Sequence, residues 1–337
     1  MRLEDKFFVI SHVTCQLLGR WLPIPCVGLD LQNDESVDID SQSWRSFIES
    51  DLSSMWPVLS WLESLIRQRK ISIEALSEAA ARHCEAVFSG GGQIVAWSSD
   101  IYPPLLRHVA RPPHCLTVLG NPHLLTNRGI AVIGSRRASA ESLQMSVAVG
   151  RSLAELGRVV VSGGAIGCDI AAHEGVLQNT KNPAGAIIVF AGGLSSRFPR
   201  CNERVFRSVL DHGGLFVSER LWYQDVLPRD FPSRNRIVSG MCEATIVMGA
   251  AMRSGSMITA QEALEQGRDV FVFEPSDTDI RFDGSRSLIT EGAQAFKEAA
   301  EVLELTKSAD LLSQIALSQS CQIGVDLGTF YTETKFH

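Results

Sequence analysis

The residues of this chain best suited to chemistry are arginines set beside glycine and serine turns, and the chemistry they suit is anion binding. Gly134-Ser135-Arg136-Arg137 joins two guanidiniums to a turn rich in hydrogen-bond donors. Ser162-Gly163-Gly164-Ala165-Ile166-Gly167-Cys168-Asp169 is a longer turn of the same kind, and Gly192-Gly193 and Ser254-Gly255-Ser256, the latter with Thr259 a turn later, are two more. Backbone N–H groups in such nests and at helix N-termini hold phosphate oxygens. Arginine adds a planar fork that matches the same oxygens. One glycine turn would be explained by tight backbone geometry alone. Four together, the first with two arginines, favour phosphate.

A second cluster, Phe231-Pro232-Ser233-Arg234-Asn235-Arg236, reads as a turn entering a helix, with an aromatic face, two guanidiniums and an amide. The bland reading is a helix start with Phe231 in the core, and for Phe231 the two readings are evenly matched. Ser254, Ser256 and Thr259 either cap the following helix or donate to phosphate. For Gly163, Gly164 and Gly167 the alternative is close packing of helix on strand, and a nest serves both purposes. Asp169 and His173 are four residues apart on one helix face. That spacing permits a metal or acid–base pair, but a local hydrogen bond that holds the loop is the better reading. Glu219 is expected only to order neighbouring arginines.

Other chemistries find little support. There is no Gly-x-Ser-x-Gly elbow, no paired-carboxylate site and no metal-ligand cluster. The eight cysteines stand singly, without Cys-x-x-Cys. They are read as reduced and mostly buried thiols. No metal, cofactor or catalytic residue is expected.

The elements that must position these turns follow from hydrophobic periodicity. Apolar β-branched runs at 130–133, 159–161, 186–190, 215–217, 245–248 and 270–273 alternate with helical stretches near 140–156, 169–179, 199–211, 234–241 and 257–266. Continuous apolar strands separated by amphipathic helices predict a mostly parallel sheet covered on both faces. The fold class is therefore α/β, Rossmann-like and doubly wound. In such sheets ligands gather outside the carboxyl ends of the strands, where the glycine and serine turns fall.

Residues 1–99 read as a smaller helical domain, followed by the Rossmann-like domain over 100–300 and a short tail over 301–337. Residues 30–43 read as a loop, and Trp44, Phe47, Ile48, Leu59, Leu62, Leu65 and Ile66 recur at helical spacing. Trp56 and Trp61 suit packing better than base stacking. A helix start is expected at Ser72 with Glu74, and Gly90-Gly91-Gly92 is expected to act as a hinge. The net charge of −7 is uneven: between Arg197 and Arg236 there are eight arginines against five acids. No apolar run approaches the ~18 residues a membrane helix needs. The opening Met1-Arg2-Leu3-Glu4-Asp5-Lys6 puts two acidic residues where a secretory signal would be basic. A cytoplasmic protein is expected, with no membrane contact.

The chain resembles the DNA-processing protein A (DprA/Smf) family. The resemblance is carried by Asp100-Ile101-Tyr102-Pro103-Pro104-Leu105-Leu106 and by Val132-Ile133-Gly134-Ser135-Arg136. It continues through Ser162 to Asp169 with Ala172-His173, Phe231 to Ile237, and Ser254-Gly255-Ser256-Met257-Ile258-Thr259-Ala260, in order, across about 95–295. Departures are Gly249 where a Glu is usual, Pro275-Ser276 for Pro-Gly, Arg286 for Asn, and Ser233 for a basic residue. The tail is too short for the winged-helix domain of many members. The resemblance implies a single-stranded DNA-binding protein, a homodimer that loads a RecA-type recombinase in natural transformation. The implied DNA contacts are Gly134, Ser135, Arg136, Arg137, Ser162, Gly163, Gly164, Gly167, Phe231, Arg234, Asn235, Arg236, Ser254, Gly255, Ser256 and Thr259. The rival readings are a nucleotide-binding or nucleotide-processing enzyme of the lysine-decarboxylase-like Rossmann superfamily, whose Pro-Gly-Gly-x-Gly-Thr-x-x-Glu loop is absent, and a nucleotide-sensing defence module.

Overall fold

A computed structural model describes residues 73–179, 185–275 and 282–302, together with residue 304 and residues 9, 11–13, 15 and 16. The sequence readings at residues 30–72, Ser276 and the tail beyond 304 lie outside the described residues.

The described chain opens with α1 (Ile73–Ser89), β1 (Gln93–Ala96) and β2 (Cys115–Gly120). There follow β3 (Gly129–Ile133), α2 (Ala140–Glu155), β4 (Val159–Ser162), α3 (Cys168–Leu177) and β5 (Ala186–Phe190). The chain continues through α4 (Glu203–Asp211), β6 (Leu215–Ser218), α5 (Asp230–Gly240) and β7 (Cys242–Val247). It closes with α6 (Gly255–Glu265), β8 (Asp269–Phe273), α7 (Asp283–Thr290) and β9 (Gln294–Phe296). The strands form one sheet in the order β1-β2-β6-β5-β4-β3-β7-β8-β9. From β6 to β9 every pair is parallel, and β1 and β2 add an antiparallel edge. This is the Rossmann-like α/β fold that the alternation of strands and helices predicts.

Alternate residues of each strand feed opposite cores, which is why the strands read as unbroken apolar runs. Ala131, Ile133, Ile187, Val189, Leu215 and Val217 face α5, α6 and α7 through Ile237, Val238, Ala260, Ala263 and Leu288. Ile130, Val132, Ile188, Phe190 and Phe216 face α1 to α4 through Val87, Leu153, Ala172, Val176 and Phe206. Strand β3 lies between β4 and β7, so the winding of the sheet reverses there and opens a crevice at its carboxyl end.

Three local expectations change. Strand β1 pairs with β2, and the α/β unit therefore reaches back to Gln93, ahead of residue 100. Gly90-Gly91-Gly92 is a packed turn rather than a hinge. The Trp222 indole fills the space where side chains on Gly90 and Gly92 would stand, and Gly91 takes φ 75°. Helix α5 starts at Asp230, so Phe231 to Arg236 are its opening turns and not a turn before it. Pro232 is tolerated there because first-turn N–H groups have no helical acceptor.

Candidate nucleic-acid interface

A cleft of about 550 Å³ opens at the carboxyl ends of β3, β4 and β7. Its walls carry Gly134, Ser135, Arg136, Arg137, Gly163, Phe231, Arg234, Asn235, Ser254, Gly255, Ser256 and Thr259. Twelve of the sixteen expected residues therefore meet in one place. Ile133, Pro232, Val238, Ala251 and Ile258 complete an apolar side that the sequence reading did not single out.

The Ser135 hydroxyl accepts the Arg137 N–H at 3.0 Å, which closes the first turn. Arg136 and Arg137 are exposed. The Arg136 guanidinium lies 5.2 Å over the Phe231 ring. Phe231 is half-buried, so it is neither pure core nor fully presented.

The longer glycine turn is built around a buried charge pair. Arg234 runs beneath Gly163, and any Cβ on Gly163 would overlap its guanidinium. One Arg234 Nη donates to the Val189 carbonyl, while its Nε finds no partner among the described residues. Asp169 accepts the Ala165 N–H at 3.3 Å and so ties the loop to the first turn of α3. Burial raises the Asp169 carboxyl above its usual range, and the nearby Arg234 charge opposes that rise. Burial draws Arg234 down to about 10, against the pull of Asp169. Arg234 is thus a charged floor and not a mobile arm. Gly167 has φ 89° and touches the backbone of Ser135 and Arg136, which brings the two turns together.

Across the cleft, Ser254 caps α6 by accepting the Met257 N–H at 3.3 Å. Thr259 and Asn235 both donate to the Gly255 carbonyl, at 3.1 and 3.3 Å. Those side chains anchor the helix start on the cleft wall.

Four expected residues do not line the cleft. Ser162 is fully buried at the end of β4. Gly164 takes φ 63° against Ile188 and Phe206. Gly167 makes the loop contact just described. Arg236 is a correction: its guanidinium is buried and meets Glu219 at 2.5 and 2.9 Å, with Nε on the Arg111 carbonyl and Nη1 also on the Ser233 carbonyl. It braces α5 against the chain, and Glu219 orders it as expected. The Gly192-Gly193 turn is a second correction, because it packs against Val226 and the Leu221–Trp222 backbone and away from the cleft.

Asp169 and His173 form no metal pair. His173 is enclosed, with neither ring nitrogen partnered among the described residues, and no group of His, Cys, Asp or Glu suited to a metal occurs among them. Gly249, where the resemblance leads one to expect Glu, takes φ 141° against Phe282. Arg286 pairs with Asp283 at 2.5 Å. The described cysteines are free, and all but Cys201 are buried. No described helix is long and apolar enough to cross a membrane.

A sequence profile of the family called DNA recombination-mediator protein A matches residues 93–307. The chain belongs to that family. Its relatives include the DNA processing protein DprA of Streptococcus pneumoniae, 39% identical over 60% of this chain and 71% of its own. Protein Smf of Escherichia coli is 37% identical over 63% of this chain, and the chain spans only 56% of its length. Among solved structures, the S. pneumoniae DprA superposes with a TM-score of 0.60 at 34% identity, over 68% of this chain and 81% of its own. DNA processing protein A from Helicobacter pylori, whose structure is described for its single-stranded DNA binding mode, gives 0.58 at 28%, over 64% and 96%.

Proposed function

We propose that this DprA-family protein binds single-stranded DNA in the cleft, shields it, and delivers a RecA-type recombinase to it, as in natural transformation. The observation that carries the reading is Arg136, exposed and stacked on Phe231 at the mouth of a cleft walled by two donor-rich turns. Phosphates would meet Arg136, Arg137 and the start of α6, while bases would lie along Phe231 and the apolar side. That division of labour is how sequence-tolerant single-strand binders work. The single-stranded DNA binding of the H. pylori relative supports it. The protein would act in the cytoplasm as a homodimer, without catalysis, metal or nucleotide cofactor.

The test is a competition between labelled oligo-dT and unlabelled duplex of equal length. Single strands should win by at least tenfold with little dependence on sequence; equal or tighter duplex binding would overturn the reading. Recombinase delivery is tested separately, by filament growth on a strand precoated with a single-strand-binding protein.

A further inference from the structure

An aromatic and cationic strip leads out of the cleft. Arg136 covers Phe231, and Phe231 meets Phe198 edge to face, with ring centroids 6.0 Å apart and an interplanar angle of 65°. Phe198 is 49% exposed and lies outside the cleft. Leaving a phenyl ring in water forfeits the burial that usually places it in a core.

The segment around this ring is fixed. Arg197, just before it, pairs with Glu203 at 2.8 Å, donates to the Leu194 carbonyl at 3.2 Å and lies 5.7 Å over Phe216. Asn202, just after it, is buried and donates to the Gly164 carbonyl at 3.0 Å, which fastens the segment to the glycine turn of the cleft. Beyond Phe198, Arg200 and Arg204 are both exposed and meet no carboxylate among the described residues. The neighbouring acid, Glu203, is shared between Arg197 and Arg207.

We infer that Phe198 is a second base-stacking platform: a single strand leaving the cleft crosses Phe231, lays a base on Phe198 and sets its phosphates against Arg200 and Arg204. The inference rests on the single-stranded DNA reading above. A base offers a π-face whatever its identity, so the platform adds affinity without sequence preference. The two arginines add a salt-sensitive share.

The experiment uses the full chain, with fluorescence anisotropy on oligo-dT and on an abasic oligonucleotide of the same length, at several salt concentrations. Phe198→Ala should weaken oligo-dT binding about tenfold. It should leave abasic binding and both salt slopes as in the wild type. The double variant Arg200→Ala/Arg204→Ala should flatten the log–log salt slope by about 1.4 on both oligonucleotides, about 0.7 for each phosphate no longer neutralised. Phe198→Trp should keep wild-type affinity, and oligo-dT should quench the added emission. If Phe198→Ala binds oligo-dT like the wild type while Arg136→Ala does not, the cleft reading stands and the platform is wrong. If Phe198→Ala folds poorly, an unquenched Phe198→Trp overturns the platform instead. If the wild type binds no single strand, both readings fall.

Discussion

Three arginines that look alike in the sequence occupy three different physical situations, and two of them make opposite demands on truncation. Arg136 is exposed and holds no carboxylate among the described residues, whereas Arg234 is a buried floor and Arg236 a buried brace. Arg136→Ala should leave the melting temperature within a few degrees of the wild type. It should lower single-strand affinity for all sequences alike and flatten the salt slope by about 0.7. Arg236→Ala strands the partly buried Glu219 carboxylate, a loss of about 3 kcal/mol, at the low end for a buried pair. Calorimetry should show that as a drop of about 10 °C, with the salt slope of the remaining folded protein unchanged. His173 gives a pH test at the same scale. Burial lowers its pKa to about 4, against about 6.5 when unfolded. Between those values the unfolded chain takes up the proton and the folded one does not. Stability is therefore full above pH 6.5 and falls as pH drops toward 4. His173 alone should contribute a loss of about 2 kcal/mol between pH 7 and pH 5 in urea titrations. His173→Leu should remove that share of the pH dependence and cost little at pH 7, because neither ring nitrogen has a described partner to lose.

At the scale of elements, the start of α6 both stabilises the fold and faces the proposed ligand, and one position separates the two roles. Ser254→Ala removes the cap on the Met257 N–H and should cost about 1 kcal/mol. Ser254→Asp keeps a capping oxygen and so should keep the stability, yet it sets a negative charge on the cleft wall and should weaken strand binding several-fold. Thermal melts paired with anisotropy would check both outcomes. The sheet and helices were legible because parallel strands buried on both faces, such as Ala186 to Phe190, must be apolar throughout. Strands β1, β2 and β9 were missed: Gln93–Ala96 and Gln294–Phe296 are too short to show a period, and Cys115–Gly120 pairs antiparallel on both sides, outside the alternation of parallel strands and helices. Twelve of the sixteen site residues converge because glycine, serine and arginine at strand ends carry the same signal in sequence and in space. Arg236 was placed among the phosphate contacts although Glu219 was expected to order neighbouring arginines, because the sequence does not say which arginine that carboxylate meets in the fold. Phe198 was overlooked, although Phe198-Pro199-Arg200 repeats the Phe-Pro-then-Arg pattern of Phe231 to Arg234.

For the whole molecule, a chain with net charge −7 still sets Arg136, Arg137 and Arg234 in one cleft at the carboxyl ends of its central strands, and the proposed binding should fall steeply with salt. The proposed dimer would let two clefts hold one strand by avidity. Light scattering at micromolar concentration should then give about 74 kDa, twice the 36.8 kDa chain; a single-chain mass would remove the dimer. The strand order has a consequence for synthesis. Gly129 of β3 pairs directly with Cys242 at the start of β7, across a long stretch of intervening chain. Such distant pairing is the slow part of folding, because the loop must close before any contact rewards it. The Gly134 and Gly163 turns, with Arg136 and Phe231, leave the ribosome before the wall that opposes them. A nascent or truncated chain that stops short of residue 242 carries the cationic half of the cleft with nothing to close it, so the proposed grip on a strand would belong to the finished molecule.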